Sequence, residues 1–226
     1  MGPCGVFGIC HARPAVSWLK GRRLWVGVGT AVVVFGIAWA IVAAIMPAWY
    51  ARLWYPLHNV PVLRAAAARE HLDSALLAGV IQVESQWDPG AMSHAGAVGL
   101  MQLLPSTARF IAKEPNPPSG DPDALTDPDV NINYGAWYLR YLMDRTGSVP
   151  AALVAYNAGE HNLAVWRAQA AAAHEQFAIP ADVPFPETRA FVDNVLHDAG
   201  IYRKAYGSEL GPIIPGYAAS AAPGSG

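Results

Sequence analysis

The chain reads as a mainly helical domain carried behind a single membrane-spanning helix. Three observations point there: a 23-residue uncharged run from Leu24 to Met46, a near absence of period-two alternation after it, and a succession of helical segments with clear start signals between Asp73 and Ala199. With 226 residues there is room for one ordinary domain plus attachments. Hydrophobic content is 53% against 14% charged, a skew that the Leu24–Met46 run explains in large part.

That run is long enough for its role, since as a helix it covers about 34 Å at 1.5 Å per residue, enough for a bilayer core. Before it stand Arg13, Lys20, Arg22 and Arg23 and no acid; after it come 11 Lys/Arg and all 17 Asp/Glu, a net charge of −6. The basic flank predicts a cytoplasmic tail over 1–23, an anchor over 24–46 and export of everything beyond. A cleaved signal peptide is the competing reading, because Ala38-Trp39-Ala40 imitates a cleavage site, but the site falls inside an apolar run too long for a signal core. The only cysteines, Cys4 and Cys10, lie in the tail, so the exported part must be held by packing without disulfides. With His11 they form no convincing metal set. No cofactor, metal or nucleic-acid partner is expected.

Residues 47–63, rich in Trp, Tyr and Pro, read as an interfacial belt and stalk. The folded domain is expected over 64–206, and 207–226, dominated towards its end by Gly, Pro, Ala and Ser, as a disordered tail. Within the domain, Asp73 caps a predicted helix to about Ser85, with Leu77, Ile81 and Glu84 along one side. Leu104 to Lys113 is a second helix with Pro105 in its first turn. Thr126-Asp127-Pro128-Asp129 starts a third, running to Arg145 with the stripe Val130, Tyr134, Trp137, Tyr138, Tyr141 and Leu142. Short helices follow over Val149–Tyr156 and Asn162–His174, and a last one over Glu187–Ala199, stopped by Gly200.

Chemistry concentrates between Glu84 and Gln102. A helix face shared with Leu77 and Ile81 should carry Glu84 towards the core, where desolvation raises a carboxyl pKa and prepares it to donate a proton to a glycosidic oxygen. Gly90, Gly96 and Gly99 allow sharp turns and a close backbone approach to a ligand. Ser93 offers a hydroxyl, and Gln102 both a donor and an acceptor suited to an N-acetyl amide. Taken singly, Ser93 reads as a turn residue and Gln102 as a helix-cap partner.

Glu84-Ser85 with Ser93, then Gly96-Ala97, Gly99-Leu100-Met101-Gln102-Leu103 and Pro105-Ser106-Thr107-Ala108, resembles the core motif of the soluble lytic transglycosylases, lysozyme-like enzymes that cleave bacterial peptidoglycan. Ala155-Tyr156-Asn157-Ala158-Gly159 is similar to that family's tyrosine-asparagine-glycine motif. Pro186-Glu187-Thr188-Arg189 with Val192 and Val195-Leu196 resembles its C-terminal helix, and Asn131-Ile132, Gly135 and Tyr138-Leu139 its connecting helix. The likeness covers about residues 70 to 200. It implies a fold of the α+β lysozyme superfamily, with Glu84 as sole catalytic acid/base. Ser93, Gln102, Tyr156 and Asn157 would then line or support the substrate site, with Gly96, Gly99, Met101 and Glu187 in supporting roles. Two departures stand out: Glu160-His161-Asn162 where the family shows a proline or small residue and then glycine, and Phe191 where it shows an aromatic hydroxyl.

A glycosidase of the ordinary kind needs two carboxylates, yet no second acid shares the helix face of Glu84, and Asp88 lies in the loop. The resemblance implies the alternative: cleavage between N-acetylmuramic acid and N-acetylglucosamine with internal attack by the muramic C6 hydroxyl, giving a 1,6-anhydro end. The partners expected are peptidoglycan strands and, through 24–46, the cytoplasmic membrane; protein partners are not legible. A hydrolytic muramidase of the goose-lysozyme kind and a non-catalytic wall-binding scaffold remain the competing functions.

Overall fold

A computed structural model describes residues 32–36, 39 and 48–212. The chain divides into two units, Met1–Pro47 and Ala48–Gly226. In the first, residues 32–36 and 39 are helical; the remainder of the expected anchor, the basic tail and both cysteines lie outside the described residues. Among the described residues no helix is long and apolar enough to cross a membrane.

The second unit is a helical assembly: α1 (Ala48–Trp54), α2 (Val60–Arg69), α3 (Ser74–Ser85), α4 (Pro105–Ile111), α5 (Pro128–Thr146), α6 (Val149–Ala158), α7 (Glu160–Ala172) and α8 (Pro186–Leu210). Extended structure among the described residues is limited to two isolated antiparallel bridges, Met92 with Val98 and Val98 with Leu103. The start signals of the sequence work as local chemistry demands. Asp73 accepts from the Ala75 N–H at 2.7 Å to open α3, and Asp127 accepts from Asp129 N–H at 2.8 Å to open α5 behind Pro128.

The centre of the domain is α3. From Ser74 to Ile81 every residue is buried, so its first two turns are core on all sides rather than on one stripe. Its main partner is α8, with α2 alongside; α6 touches α5, α7 and α8. Gly79 allows the closest approach, for a Cβ there would sit 2.7 Å from the Val195 carbonyl and 2.9 Å from the Ala199 amide nitrogen of α8.

Two sequence expectations are corrected. Gly200 does not stop the last helix, which continues to Leu210 with a non-helical φ at Tyr206. A helical glycine costs only about 1 kcal/mol relative to alanine, and burial of Tyr202, Ala205, Tyr206 and Leu210 beyond it outweighs that. The expected stalk is also part of the fold. The Arg52 guanidinium donates to the Ala205 carbonyl at 2.8 and 3.1 Å and pairs with Glu209 at 2.7 Å. Tyr202 and Tyr206 hydroxyls lie 2.9 and 2.8 Å from the carbonyls of Pro56 and Tyr55. Belt-forming aromatics and core aromatics look alike in a sequence, and Tyr55 meets Tyr202 edge-on at 5.9 Å. The compact unit therefore begins at Ala48 rather than near Arg64, and its last helix runs past the expected border at 206.

Gly79→Ala should lower stability by about 1–3 kcal/mol, since the added methyl must push apart two backbones. Urea unfolding followed by circular dichroism measures it, and an unchanged midpoint would contradict the close contact of α3 with α8.

Candidate active site

Glu84 lies in the last turn of α3, where the helix emerges from the core. Its carboxyl is half-buried and accepts no hydrogen bond from the described residues. Desolvation alone raises its pKa from 4.5 to about 7. No neighbouring charge contributes to that shift. Asp88, the nearest acid in sequence, is exposed and spends Oδ1 on the Gly90 N–H at 2.8 Å. Immediately after Ser85 the chain reverses through two left-handed residues, Gln86 (φ 52°) and Trp87 (φ 66°). Such a conformation in non-glycine residues needs external support. Trp87 has it: its indole N–H donates to the Tyr202 hydroxyl at 2.6 Å, and that hydroxyl also lies 2.8 Å from Gln82 Oε1.

The loop facing Glu84 is fixed by a residue whose part the sequence did not disclose. Asn131 of α5, fully buried, accepts from Met101 N–H at 2.7 Å and donates to the carbonyls of Val98 and Leu125, each at 2.8 Å. Gly99 (φ 81°) is what lets the loop lie there, since a Cβ would stand 2.2 Å from Leu125 O and 2.3 Å from Asn131 Nδ2. Gly96 (φ 80°) supplies the other left-handed turn in open space, whereas Gly90 has no positive φ and needs no such freedom. Ser85 Oγ lies 2.8 Å from the Leu100 carbonyl, tying the loop back to α3 beside Glu84.

Ser93 and Gln102 both serve this loop. Ser93 Oγ accepts from Ala97 N–H at 3.0 Å, which leaves its own O–H proton undirected. Gln102 (φ 47°) donates to the carbonyls of Ala91 and Gly99 at 3.1 and 2.9 Å, so its amide N–H groups are used internally and its amide oxygen makes no hydrogen bond among the described residues. Met101 is buried, and its sulfur fills the space that a side chain at Gly135 would claim.

Tyr156 closes the arrangement. Its hydroxyl donates to the Met101 carbonyl at 2.7 Å, and the negative field of Glu84 reaches it; burial first, then Glu84, pushes its phenol well above the usual range. Phe191 stacks on Tyr156 at 6.4 Å with planes 9° apart, so the ring that lacks a hydroxyl still backs the tyrosine. Asn157 is exposed and accepts from the buried Thr188 hydroxyl at 2.7 Å, joining the end of α6 to the start of α8. Glu187, expected to buttress the fold through hydrogen bonds, makes none among the described residues. It is an exposed first-turn acid, favourably placed against the α8 dipole, and its neighbour Thr188 does the bracing. Asn131 and Thr188 both fall inside motif blocks read from the sequence, but only burial distinguishes them. Among the described residues no cluster of His, Cys, Asp or Glu could hold a metal ion.

Fold and site together define a lysozyme-like domain built mainly of helices. The model of the transglycosylase SLT domain matches residues 61–178. The soluble lytic murein transglycosylase of Escherichia coli strain K12 is 32% identical over 157 residues, which cover 69% of this chain and 24% of that protein. A membrane-bound lytic murein transglycosylase C of Histophilus somni is 36% identical over 110 residues, 44% of this chain and 30% of that one. An inactive glutamate-to-glutamine mutant of the lytic transglycosylase Slt from Pseudomonas aeruginosa superposes with TM-score 0.62 at 30% identity, covering 74% of this chain and 27% of that one. The chain belongs to the transglycosylase SLT family. It spans about a quarter of the length of the first curated relatives it matches.

The raised carboxyl has a thermodynamic signature. The folded acid keeps its proton to about 7 while the unfolded one releases it near 4.5, so the folded state binds more protons in that window and loses stability as pH rises through it. Glu84→Gln removes the buried charge. Its melting temperature should exceed that of the parent at about pH 8, with the advantage fading as pH falls to about 4. Thermal scans across this range check the sign.

Proposed function

We propose that this protein is a membrane-anchored peptidoglycan lytic transglycosylase using Glu84 as its single acid/base. The observation that carries the reading is a half-buried carboxyl at the end of α3 with no hydrogen-bond partner among the described residues and no second carboxylate acting on it, so that burial raises its pKa to about 7. A neutral acid can give its proton to the glycosidic oxygen between N-acetylmuramic acid and N-acetylglucosamine as the C1–O bond breaks. The N-acetyl carbonyl of the muramic residue shares the positive charge at C1. The Glu84 carboxylate left behind then takes the proton of the muramic C6 hydroxyl while that oxygen bonds to C1. A 1,6-anhydro ring closes, the acid is restored, and no water is consumed.

The other side chains suit this sequence of events. Ser93 retains an O–H donor and Gln102 an amide oxygen, one of each for a hydroxyl and an N-acetyl N–H of the sugar. Tyr156, tied to the Met101 carbonyl, sets the wall beside the acid, and Asn157 holds that wall through Thr188. The relative from Pseudomonas, inactive as a glutamate-to-glutamine mutant, fits a mechanism that rests on one acid. Membrane attachment is part of the proposal on the strength of the apolar run 24–46 and its basic flank, with Leu53 and Trp54 of α1 both about two-thirds exposed just beyond it.

Digestion of peptidoglycan by the full chain should release anhydro fragments. Products one water heavier would assign hydrolysis instead, and mass spectrometry separates the two. Glu84→Gln should lower the rate by about a thousandfold or more, and wild-type turnover should decline as pH rises past about 7 with loss of the proton from Glu84. Cell fractionation tests the anchor: the full chain should sediment with cytoplasmic membranes and resist salt extraction, whereas recovery in the soluble fraction would refute it.

A further inference from the structure

At the end of α3 remote from the acid lies a cavity of about 570 Å³, whose walls include Val60, Pro61, Arg64 and Ala68 of α2, Ser74 of α3 and Leu210 of α8. Its size is that of a small-ligand site, and most of its wall is apolar. Two polar side chains on that wall are unengaged. Arg64 makes no hydrogen bond or ion pair among the described residues. Ser74 is only 8% exposed, yet its hydroxyl makes no hydrogen bond among the described residues, whereas a buried hydroxyl ordinarily has a partner.

The charges around the cavity leave room for an anion. Asp73 and Glu209, the acids next in sequence to the wall residues Ser74 and Leu210, are paired with Arg203 and Arg52. The same end of the domain presents exposed apolar groups. Arg52 fastens α1 to the last turns of α8 through the Ala205 carbonyl, and beside it Leu53 and Trp54 are 70% and 67% exposed. Both follow closely on the apolar run 24–46.

We propose that this end of the domain rests on the bilayer surface, with the phosphate of an anionic phospholipid held by Arg64 and Ser74 in the cavity. Leu53 and Trp54 then lie among the lipids beside it, at the depth where tryptophan is favoured. The proposal rests on the membrane-attached reading above and adds a specific contact to it. Arginine presents a planar fork that meets a phosphate through two parallel bonds, the serine hydroxyl supplies a third donor, and the apolar wall receives the first methylenes of an acyl chain. The contact bears on the reaction through α3. Ser74 opens that helix and Glu84 lies in its last turn, about 15 Å further along at 1.5 Å per residue. Lipid held at one end therefore limits how far the acid at the other can stand from the membrane.

The test reconstitutes the full chain into phosphatidylcholine vesicles that contain photoreactive phosphatidylglycerol or photoreactive phosphatidylcholine, and maps the cross-linked peptides by mass spectrometry. Phosphatidylglycerol should mark residues 60–68 and 210–212 about fivefold more than phosphatidylcholine does, the worth of one cation at an anionic surface. Arg64→Gln should remove that difference and Arg64→Lys should keep part of it. Ala68→Phe, at an exposed position on the wall, should fill the cavity and abolish its marking while residues 53–54 stay marked. Absence of marking at the cavity, equal marking by the two lipids, or marking unchanged by Ala68→Phe would overturn the proposal. So would marking that appears only after residues 213–226 are removed, which would give the cavity to the chain's own tail. Marking that falls as the protein is concentrated in the vesicles would give the face to a second copy, with the same consequence. Cross-links within 24–46 read the anchor separately: their absence, with the cavity still marked, would refute the anchor and leave this site standing.

Discussion

The buried amide of Asn131 is the contact on which the site depends. One side chain from α5 satisfies the Met101 N–H and the carbonyls of Val98 and Leu125. Val98 and Met101 belong to the loop after α3 and Leu125 to the one before α5; the Val98 carbonyl also meets the Leu103 N–H at 3.0 Å, which leaves the Met101 N–H and the Leu125 carbonyl to Asn131. Left unpaired in the interior, each would cost roughly 1–3 kcal/mol, so the loop has one arrangement in which its polar groups are all met. Gly99 belongs to the same solution, because any side chain there would occupy the place of the amide. Once Met101 is fixed, its carbonyl receives Tyr156, which ties α6 to the loop within reach of the field of Glu84. The order of dependence runs from Asn131 through Met101 to the wall beside Glu84.

Against this rigid frame the acid has no hydrogen-bond partner among the described residues. Glu84 sits where α3 leaves a fully buried stretch, near enough to the core to lose water and far enough from other charges to gain nothing in exchange. Burying an ionisable group without a partner lowers stability, and the domain carries that cost at Glu84. The helix bearing it is correspondingly well braced. Asp73 at its first turn pairs with Arg203, Gly79 lies tight against α8, and Tyr202 supports Trp87 at its far end. The braces at both ends and in the middle all come from α8, which makes the last helix the counterpart of the first half of the motif.

Much of this was legible in the chain because the relevant signals are local. Asp73, the Thr126-Asp127-Pro128-Asp129 start and Pro105 act on their own helix termini, and the expected boundaries of α3, α4 and α5 follow. Helix periodicity with Leu77 and Ile81 puts Glu84 on α3 facing the core, and the structure has it half-buried where the helix leaves its fully buried first two turns. Tertiary effects were not legible. Gly200 is a stop signal by residue type, but the residues beyond it have a core to enter; Glu187 looked like a brace, yet it is exposed and makes no hydrogen bond among the described residues, while its neighbour Thr188 reaches Asn157. The paired roles of Gln102 show the same limit: its identity gives the number of donors, and only the fold says that loop carbonyls have taken them.

The seam between residues 52–56 and the end of α8 limits how the protein can be divided. Tyr202 and Tyr206 each place a phenol against a carbonyl from residues 55–56, and the same Tyr202 oxygen receives the indole of Trp87 next to the acid. A fragment trimmed to begin at residue 64 would strip both phenols of those acceptors and open the ring cluster under the reversal after Ser85. Residues 48–63, which lead the folded unit, are therefore a keel for the acid helix, and removing them would disturb a carboxyl with which they share no direct bond.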